Sequence, residues 1–378
     1  MAKRLVLIAL CLAVVALRTA NAAKVPAIFI FGDSTADVGT NNFLPGSKFR
    51  ANIPFNGIDF PGGKATGRFS NGLNSADLLA MLLVNKISPP PFLSVDIASV
   101  VKKKSFRGLN FASGGSGLLD ITGQTMLTLM KFGTPKEPNH DSLQSKQKNV
   151  ISLGEQIQQF HTVHGNLTKT KGLTGTKNLL SKSLFFISTA SNDIFSYYHS
   201  GSTIPKEDFI SSLGLAYEKY LRALLDLGAR KFGIISVPPI GCCPSQRVYN
   251  ATGGCLEELN GHARAFHATI GALMNKLSSE YKDMKYSVGN TYEMTINVIE
   301  NAALLNFTEV ARACCGAGKL NAEAFCQPKA ILCSDRNVYL FWDLFHPTQT
   351  AAQLAAATLY GGEQRFVSPI NFAQLAAA

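Results

Sequence analysis

Ala27-Ile28-Phe29-Ile30-Phe31-Gly32-Asp33-Ser34 is an apolar run that stops at a glycine and then presents an acid and a hydroxyl. A short continuous run of β-branched and aromatic residues, bounded by a turn signal, reads as a strand buried on both faces, the kind found inside parallel sheets. Runs of the same character recur at 109–112, 184–188, 232–237 and 286–289, giving five candidate strands. Between them the period becomes helical, at 75–84, 151–160, 205–227 and 257–277; in the third, Phe209, Leu213, Tyr217 and Leu221 share one stripe. Alternating strand and helix predicts right-handed crossovers and a parallel sheet between two helical layers. In this doubly wound α/β/α architecture the ligand crevice lies at the carboxyl ends of the strands, so chemistry is expected at the residues that follow them. Two segments read as long loops: 39–71, rich in Gly, Pro and Asn, which is placed to wall a cleft, and 122–149, polar and weakly periodic.

The chain has 378 residues, of which 46% are apolar and 16% charged, enough for a large core and too hydrophobic for a disordered or fibrous chain. No repeat or low-complexity linker divides it. The formal charge of +11 becomes +8 once Lys3, Arg4 and Arg18 of the leading segment are set aside. The remaining excess is diffuse. Its densest run, Lys102 to Lys104, has no interleaved aromatic residues, so a solvated face is expected there and no nucleic-acid site. A basic protein can still adhere to acidic cell-surface polymers.

Residues 1–23 read as a secretory signal peptide: Lys3 and Arg4 begin it, an apolar stretch covers 5–17, and Ala20-Asn21-Ala22 offers small residues for cleavage. That stretch is too short to span a bilayer, which takes about 20 residues, and nothing later is longer, so no integral membrane span is expected. Export fits the cysteines. Beyond Cys11, seven remain: Cys242, Cys243, Cys255, Cys314, Cys315, Cys326 and Cys333. Their spacing lacks the gaps of a zinc cage, so disulfides are expected with one thiol left over. Asn166, Asn250 and Asn306 open N-x-[ST] sequons, expected on surface loops that can carry glycans.

At the end of the first candidate strand, Gly32-Asp33-Ser34 sets a hydroxyl at the sheet's edge on a tight turn, where glycine permits a conformation other residues resist. Ser34 is placed there like a nucleophile, although the tripeptide alone fits an N-cap serine equally well. A serine nucleophile needs a base. Of the seven histidines, only His346 stands three residues after a carboxylate in a position to face the same cleft, in Asp343-Leu344-Phe345-His346, with Pro347 suited to the start of a following helix. His140 has Asp141 beside it but lies in a polar loop, and His161 with His164 and His262 with His267 lack a third metal ligand. Amide donors are on offer after two other strands, in Ser113-Gly114-Gly115-Ser116-Gly117 and in Ser191-Asn192-Asp193.

Together these segments resemble the plant GDSL esterase/lipase family of the SGNH hydrolase superfamily. The resemblance covers nearly all of the mature chain. It rests on Phe31-Gly32-Asp33-Ser34 with Asp37, Gly39, Asn41 and Asn42, on Asp59-Phe60-Pro61 and Thr66-Gly67-Arg68-Phe69-Ser70-Asn71-Gly72, on Pro238-Pro239-Ile240-Gly241-Cys242, and on Cys314-Cys315-Gly316. The resemblance implies a flavodoxin-like, five-stranded parallel sheet of order 2-1-3-4-5 in a single domain over 24–378. It also implies Ser34 as nucleophile, His346 as general base, Asp343 as its orienting acid, and an oxyanion hole from Ser34, Gly114 and Asn192, with Gly115 as the neighbouring alternative to Gly114. Three positions depart from the family: Thr35 replaces leucine, Ala190 replaces the glycine that opens the G-x-N-D block, and the 122–149 loop is long. If residue 190 needs positive φ, alanine there costs roughly 1 kcal/mol.

The expected function is a secreted, extracellular esterase of the cell wall or apoplast that hydrolyses carboxylic esters without cofactor or metal. Its ester could be an acyl lipid, an acetylated wall polysaccharide or a small molecule. Two alternatives use the same residues: an acyltransferase sharing the acyl-enzyme, and a wall-associated binding or defence protein with weak turnover. No G-x-S-x-G elbow, G-x-G-x-x-G fingerprint or P-loop is present.

Overall fold

A computed structural model describes residues 24–84, 88–123 and 149–378. The leader expected at 1–23, His140 with Asp141, and most of the 122–149 loop lie outside the described residues.

Five parallel strands form the central sheet: β1 Ile28–Gly32, β2 Gly108–Asn110, β3 Leu184–Ser188, β4 Lys231–Ile235 and β5 Lys285–Gly289. Their order is β2-β1-β3-β4-β5, as the resemblance implied, so the winding reverses at β1 and a crevice opens between β1 and β3. The registers fix the layers: Phe29 lies opposite Leu109 on one side and Phe185 on the other.

The alternation of β1 explains why its run is apolar throughout. Phe29 and Phe31 point into a core shared with the helices Leu153–Lys182 (α2), Lys206–Asp226 (α4) and Glu257–Glu280 (α5), through Phe160, Tyr217 and Phe266. Ile28 and Ile30 point the other way, onto Ser75–Leu83 (α1), Gln349–Gly361 (α7) and Phe372–Ala377 (α8), through Leu79, Leu359 and Phe372. Both faces are covered, as a parallel sheet requires. Helices Ser191–His199 (α3) and Thr291–Glu300 (α6) follow β3 and β5 directly.

Several features differ from the sequence reading. The helix expected at 151–160 continues to Lys182, broken at Gly172, which has φ 72 and ψ 168; a polar surface there leaves little period to read. Two small sheets pair β6 Glu309–Ala313 with β9 Tyr339–Phe341, and β7 Cys315–Gly316 with β8 Ile331–Leu332. A sixth strand, β10 Val367–Ser368, adds antiparallel to β5, and its two residues are too short for any pattern to reveal. Asn166 sits within α2, where its amide donates to the Thr162 carbonyl, and not on a loop; only Asn250 and Asn306 fall in irregular chain.

The cysteines form Cys242–Cys255, Cys314–Cys333 and Cys315–Cys326, with Cys243 free and buried. Desolvation pushes the Cys243 thiol up to about 12, so it is an inert packing group.

Candidate active site

Gly32 ends β1 with φ 141, and a Cβ at this position would lie 1.9 Å from the Ser188 carbonyl oxygen. No other residue fits. The amide of Asp33 then donates to that same carbonyl at 3.0 Å, so the turn stays attached to β3. From α2, buried Gln156 grips Gly32 on both sides, accepting its amide at 2.8 Å and donating to its carbonyl at 2.9 Å. Ser34 therefore leaves the sheet from a fixed origin. It belongs to a turn, closed by the Ala36 and Asp37 amides donating to the Asp33 carbonyl, and is not a helix cap.

His346 reaches the serine from 312 residues away, its Nε2 lying 2.7 Å from Ser34 Oγ. The other ring nitrogen, Nδ1, lies 2.8 and 2.9 Å from the two carboxylate oxygens of Asp343. Local geometry holds that acid: its Oδ1 also accepts the backbone amides of Phe345 and His346. The loop is closed by the Trp342 amide donating to the His346 carbonyl, and Thr348 caps α7. Pro347 thus stands one residue before the cap and not in the first helical turn.

Trp342 anchors the loop from below. It is fully buried among Cys314, Cys315 and Cys326, its indole N–H donates to Asn56 Oδ1, and its carbonyl accepts the Cys315 amide. The late cysteines thereby brace the segment that carries Asp343 and His346.

The 39–71 segment does form a wall. Its Phe69 ring packs 5.0 Å from the His346 ring. Arg68 beside it makes a buried two-pronged ion pair with Asp77 on α1, with both contacts at 2.7 Å. Asn71 and Gln349 close the far end, each side chain accepting a backbone amide of the other's segment.

Two turns carry the expected amide donors. After β3, Ala190 has φ 90 and ψ −13, the left-handed conformation the family glycine would adopt. Alanine takes it at a cost while keeping Asn192 in place, with Nδ2 donating to the Ser116 carbonyl at 2.8 Å. After β2, the Gly114 amide donates to Asp37 Oδ2 at 2.8 Å and the Gly114 carbonyl accepts Asn41 Nδ2 at 2.9 Å. The hydrogen assigned to a substrate oxygen is therefore spent on a buried carboxylate. The Gly115 amide, by contrast, has no hydrogen-bond partner among the described residues. Because the peptide is planar and trans, this amide points opposite to the clamped Gly114 carbonyl.

Two carboxylates that the sequence reading left without a role hold these turns. Asp37 Oδ1 accepts the amides of Gly39 and Thr40 while Oδ2 takes that of Gly114. Asp193 accepts Leu118, Leu119 and the Thr122 hydroxyl. Burial pushes each up to about 6 against these hydrogen bonds. Their signal was present only as an acid beside each block, which does not reveal a partner about 75 residues away. Thr35 in place of leucine also finds work, donating to Asp33 Oδ1 and meeting Ser188 Oγ at 2.9 Å.

His262 is buried on α5, with Nδ1 against the Glu258 carbonyl. Among the described residues no group of three or more His, Cys, Asp or Glu is arranged to hold a metal ion. Nor is any described helix long and apolar enough to cross a membrane.

Comparison with known proteins places this geometry in context. The family profile described as GDSL-like lipase/acylhydrolase matches residues 28–359. A protein of Arabidopsis thaliana named GDSL esterase/lipase is 35% identical over 366 residues, which are 94% of this chain and 91% of the relative. Another is 33% identical over 361 residues, 93% and 89% of the two chains. The GDSL esterase/lipase APG of the same plant is 31% identical over 353 residues, 91% and 93%.

Proposed function

The chain belongs to the GDSL-like lipase/acylhydrolase family and is a carboxylic ester hydrolase; on that premise we propose that it works through an acyl-enzyme on Ser34. The contact of 2.7 Å between Ser34 Oγ and His346 Nε2, backed by Asp343 on Nδ1, carries the proposal. Ser34 attacks the ester carbonyl and His346 takes its proton. The imidazolium, stabilised by Asp343, then protonates the leaving alcohol, and water activated by the same ring releases the acid. Negative charge on the carbonyl oxygen would be met by the Ser34 amide, by Asn192 Nδ2, and by the Gly115 amide in place of Gly114.

Export is part of the proposal. Three disulfides require an oxidising compartment, and the basic, leader-like 1–23 segment fits the same route. Residues 24–378 would then act as one secreted domain, with glycans best accommodated at Asn306, which is exposed in irregular chain. Attachment to acidic wall polymers would follow from the basic charge.

The decisive experiment pairs p-nitrophenyl acetate hydrolysis with fluorophosphonate labelling. Wild type should turn over and label at Ser34. Ser34→Ala should lose both, and His346→Ala should lose nearly all turnover, with far-UV spectra unchanged in each. Hydrolysis by Ser34→Ala at the wild-type rate would end the proposal.

A further inference from the structure

We propose that a cavity beside the Ser34–His346 pair receives the aliphatic acyl chain of a medium-chain ester. The proposal rests on Ser34 being the nucleophile.

The cavity has a volume of about 190 Å³ and lies at the carboxyl ends of β3, β4 and β5, beneath the loop that carries His346. Neighbours of both reacting groups border it. Thr35 follows the nucleophile, and Phe345 and Pro347 stand on either side of His346. The β3 end contributes Ser188, whose hydroxyl touches Thr35 Oγ1 at 2.9 Å. This is the end nearest the ester carbonyl.

Away from the serine the lining is mainly hydrocarbon, interrupted by Thr291, Thr295, Asn297 and Thr358. Met294 and Val298 come from α6, Leu354 and Leu359 from α7, and Leu305 and Phe366 close the far side. Among the described residues no charged side chain lines the cavity. A sugar would leave its hydroxyls facing these methyl groups unpaired, whereas an alkyl chain loses nothing by entering. An engineered cavity of about 150 Å³ holds benzene, so this one suits a chain of roughly six to ten carbons. The acyl side of the ester is favoured because the cavity abuts the turn carrying Ser34, where the carbonyl carbon becomes bonded.

The test uses the full chain with p-nitrophenyl esters from acetyl to hexadecanoyl, and with octyl acetate as a second arm. Wild-type kcat/KM should rise at least about tenfold from acetyl to octanoyl, chiefly through KM, and fall again at hexadecanoyl. Octyl acetate should gain nothing over ethyl acetate. Ala355→Phe puts a ring into the cavity from α7 and should cut the octanoyl-to-acetyl ratio about tenfold; Thr295→Phe, from α6, serves if the first variant does not fold. A ratio near one in wild type, a ratio untouched in a folded variant, or a preference for octyl acetate would overturn the proposal. Absence of turnover on every ester, with no fluorophosphonate labelling, would instead strike the nucleophile assignment, and the cavity proposal with it.

Discussion

The carboxylate of Asp37 accepts the amide of Gly114 across 77 residues of chain, at 2.8 Å and out of contact with solvent. This bond joins the turn after β1 to the turn after β2, and with Asn41 on the Gly114 carbonyl it fixes the peptide that aims the next amide.

Asp37→Asn replaces an acceptor by a donor facing either Gly114 or the Gly39 and Thr40 amides. Facing Gly114 it leaves one buried N–H without a partner, and facing Gly39 and Thr40 it leaves two, each at a cost of about 1–3 kcal/mol. The melting temperature should drop, and kcat should drop while KM for p-nitrophenyl acetate changes little, because positioning and not ground-state binding is lost. Equal losses in KM and none in kcat would show that the clamp does not act on the reacting atoms.

Asn192→Ala removes one of the donors assigned to the charged oxygen. A loss of about 10²–10³ in kcat is expected, with Ser34 still labelled slowly by a fluorophosphonate. Unchanged kcat would take Asn192 out of the mechanism.

The pH dependence of stability has a definite sign. Asp37 and Asp193 are raised from 3.8 to about 6 by burial, so between these values the folded protein keeps protons that the unfolded chain has released. Their contribution to stability is full below about 3.8 and is lost as pH rises through about 6, by at most about 3 kcal/mol each. Asp193→Asn, which cannot titrate, should therefore gain on wild type as pH rises from 4 to 7 in melting experiments. Should wild type gain on the variant instead, Asp193 is ionised throughout, with its hydrogen bonds outweighing burial.

Ala190 tests the price of a left-handed alanine. Glycine there relieves about 1–2 kcal/mol of strain, but gives up a buried methyl worth about 0.8 kcal/mol and loosens the unfolded chain by about 0.4–1 kcal/mol. Ala190→Gly should thus lie within about 1 kcal/mol of wild type, with kcat within about twofold. Ala190→Val, branched at Cβ in the same conformation, should unfold more than 2 kcal/mol more easily. Chemical denaturation of the three proteins decides this.

Removing Cys315–Cys326 by paired serine substitutions should cost about 2–4 kcal/mol. Because Trp342 packs on that pair, kcat should fall as well. Loss of stability with kcat intact would mean that the loop holds its shape without the disulfide.

Much of the site was legible because chemistry follows strand ends. Ile28 to Phe31 announce a strand buried on both faces, Gly32 announces a turn, and the three-residue spacing of Asp343 and His346 is local enough for one loop to satisfy. What failed to show was everything that depends on distant backbone. Gln156 reads as one more polar helix residue until it is seen gripping Gly32, and Gly114 reads as an open amide until Asp37 is found upon it.

By itself the sequence determined the alternation of the five central strands with the helices at 75–84, 151–160, 205–227 and 257–277, it offered Ser34, His346 and Asp343 as candidates, and its odd cysteine count left one thiol over, because hydrophobic period, turn chemistry and residue count are properties of neighbouring positions along the chain. Only the tertiary structure decided which thiol stays free, which glycine amide remains unengaged, that Ala190 takes a left-handed turn, and that an apolar cavity lies beside Ser34. Each of those depends on which remote atoms occupy the space around a group, and close packing of the sheet and its two helical layers settles that occupancy.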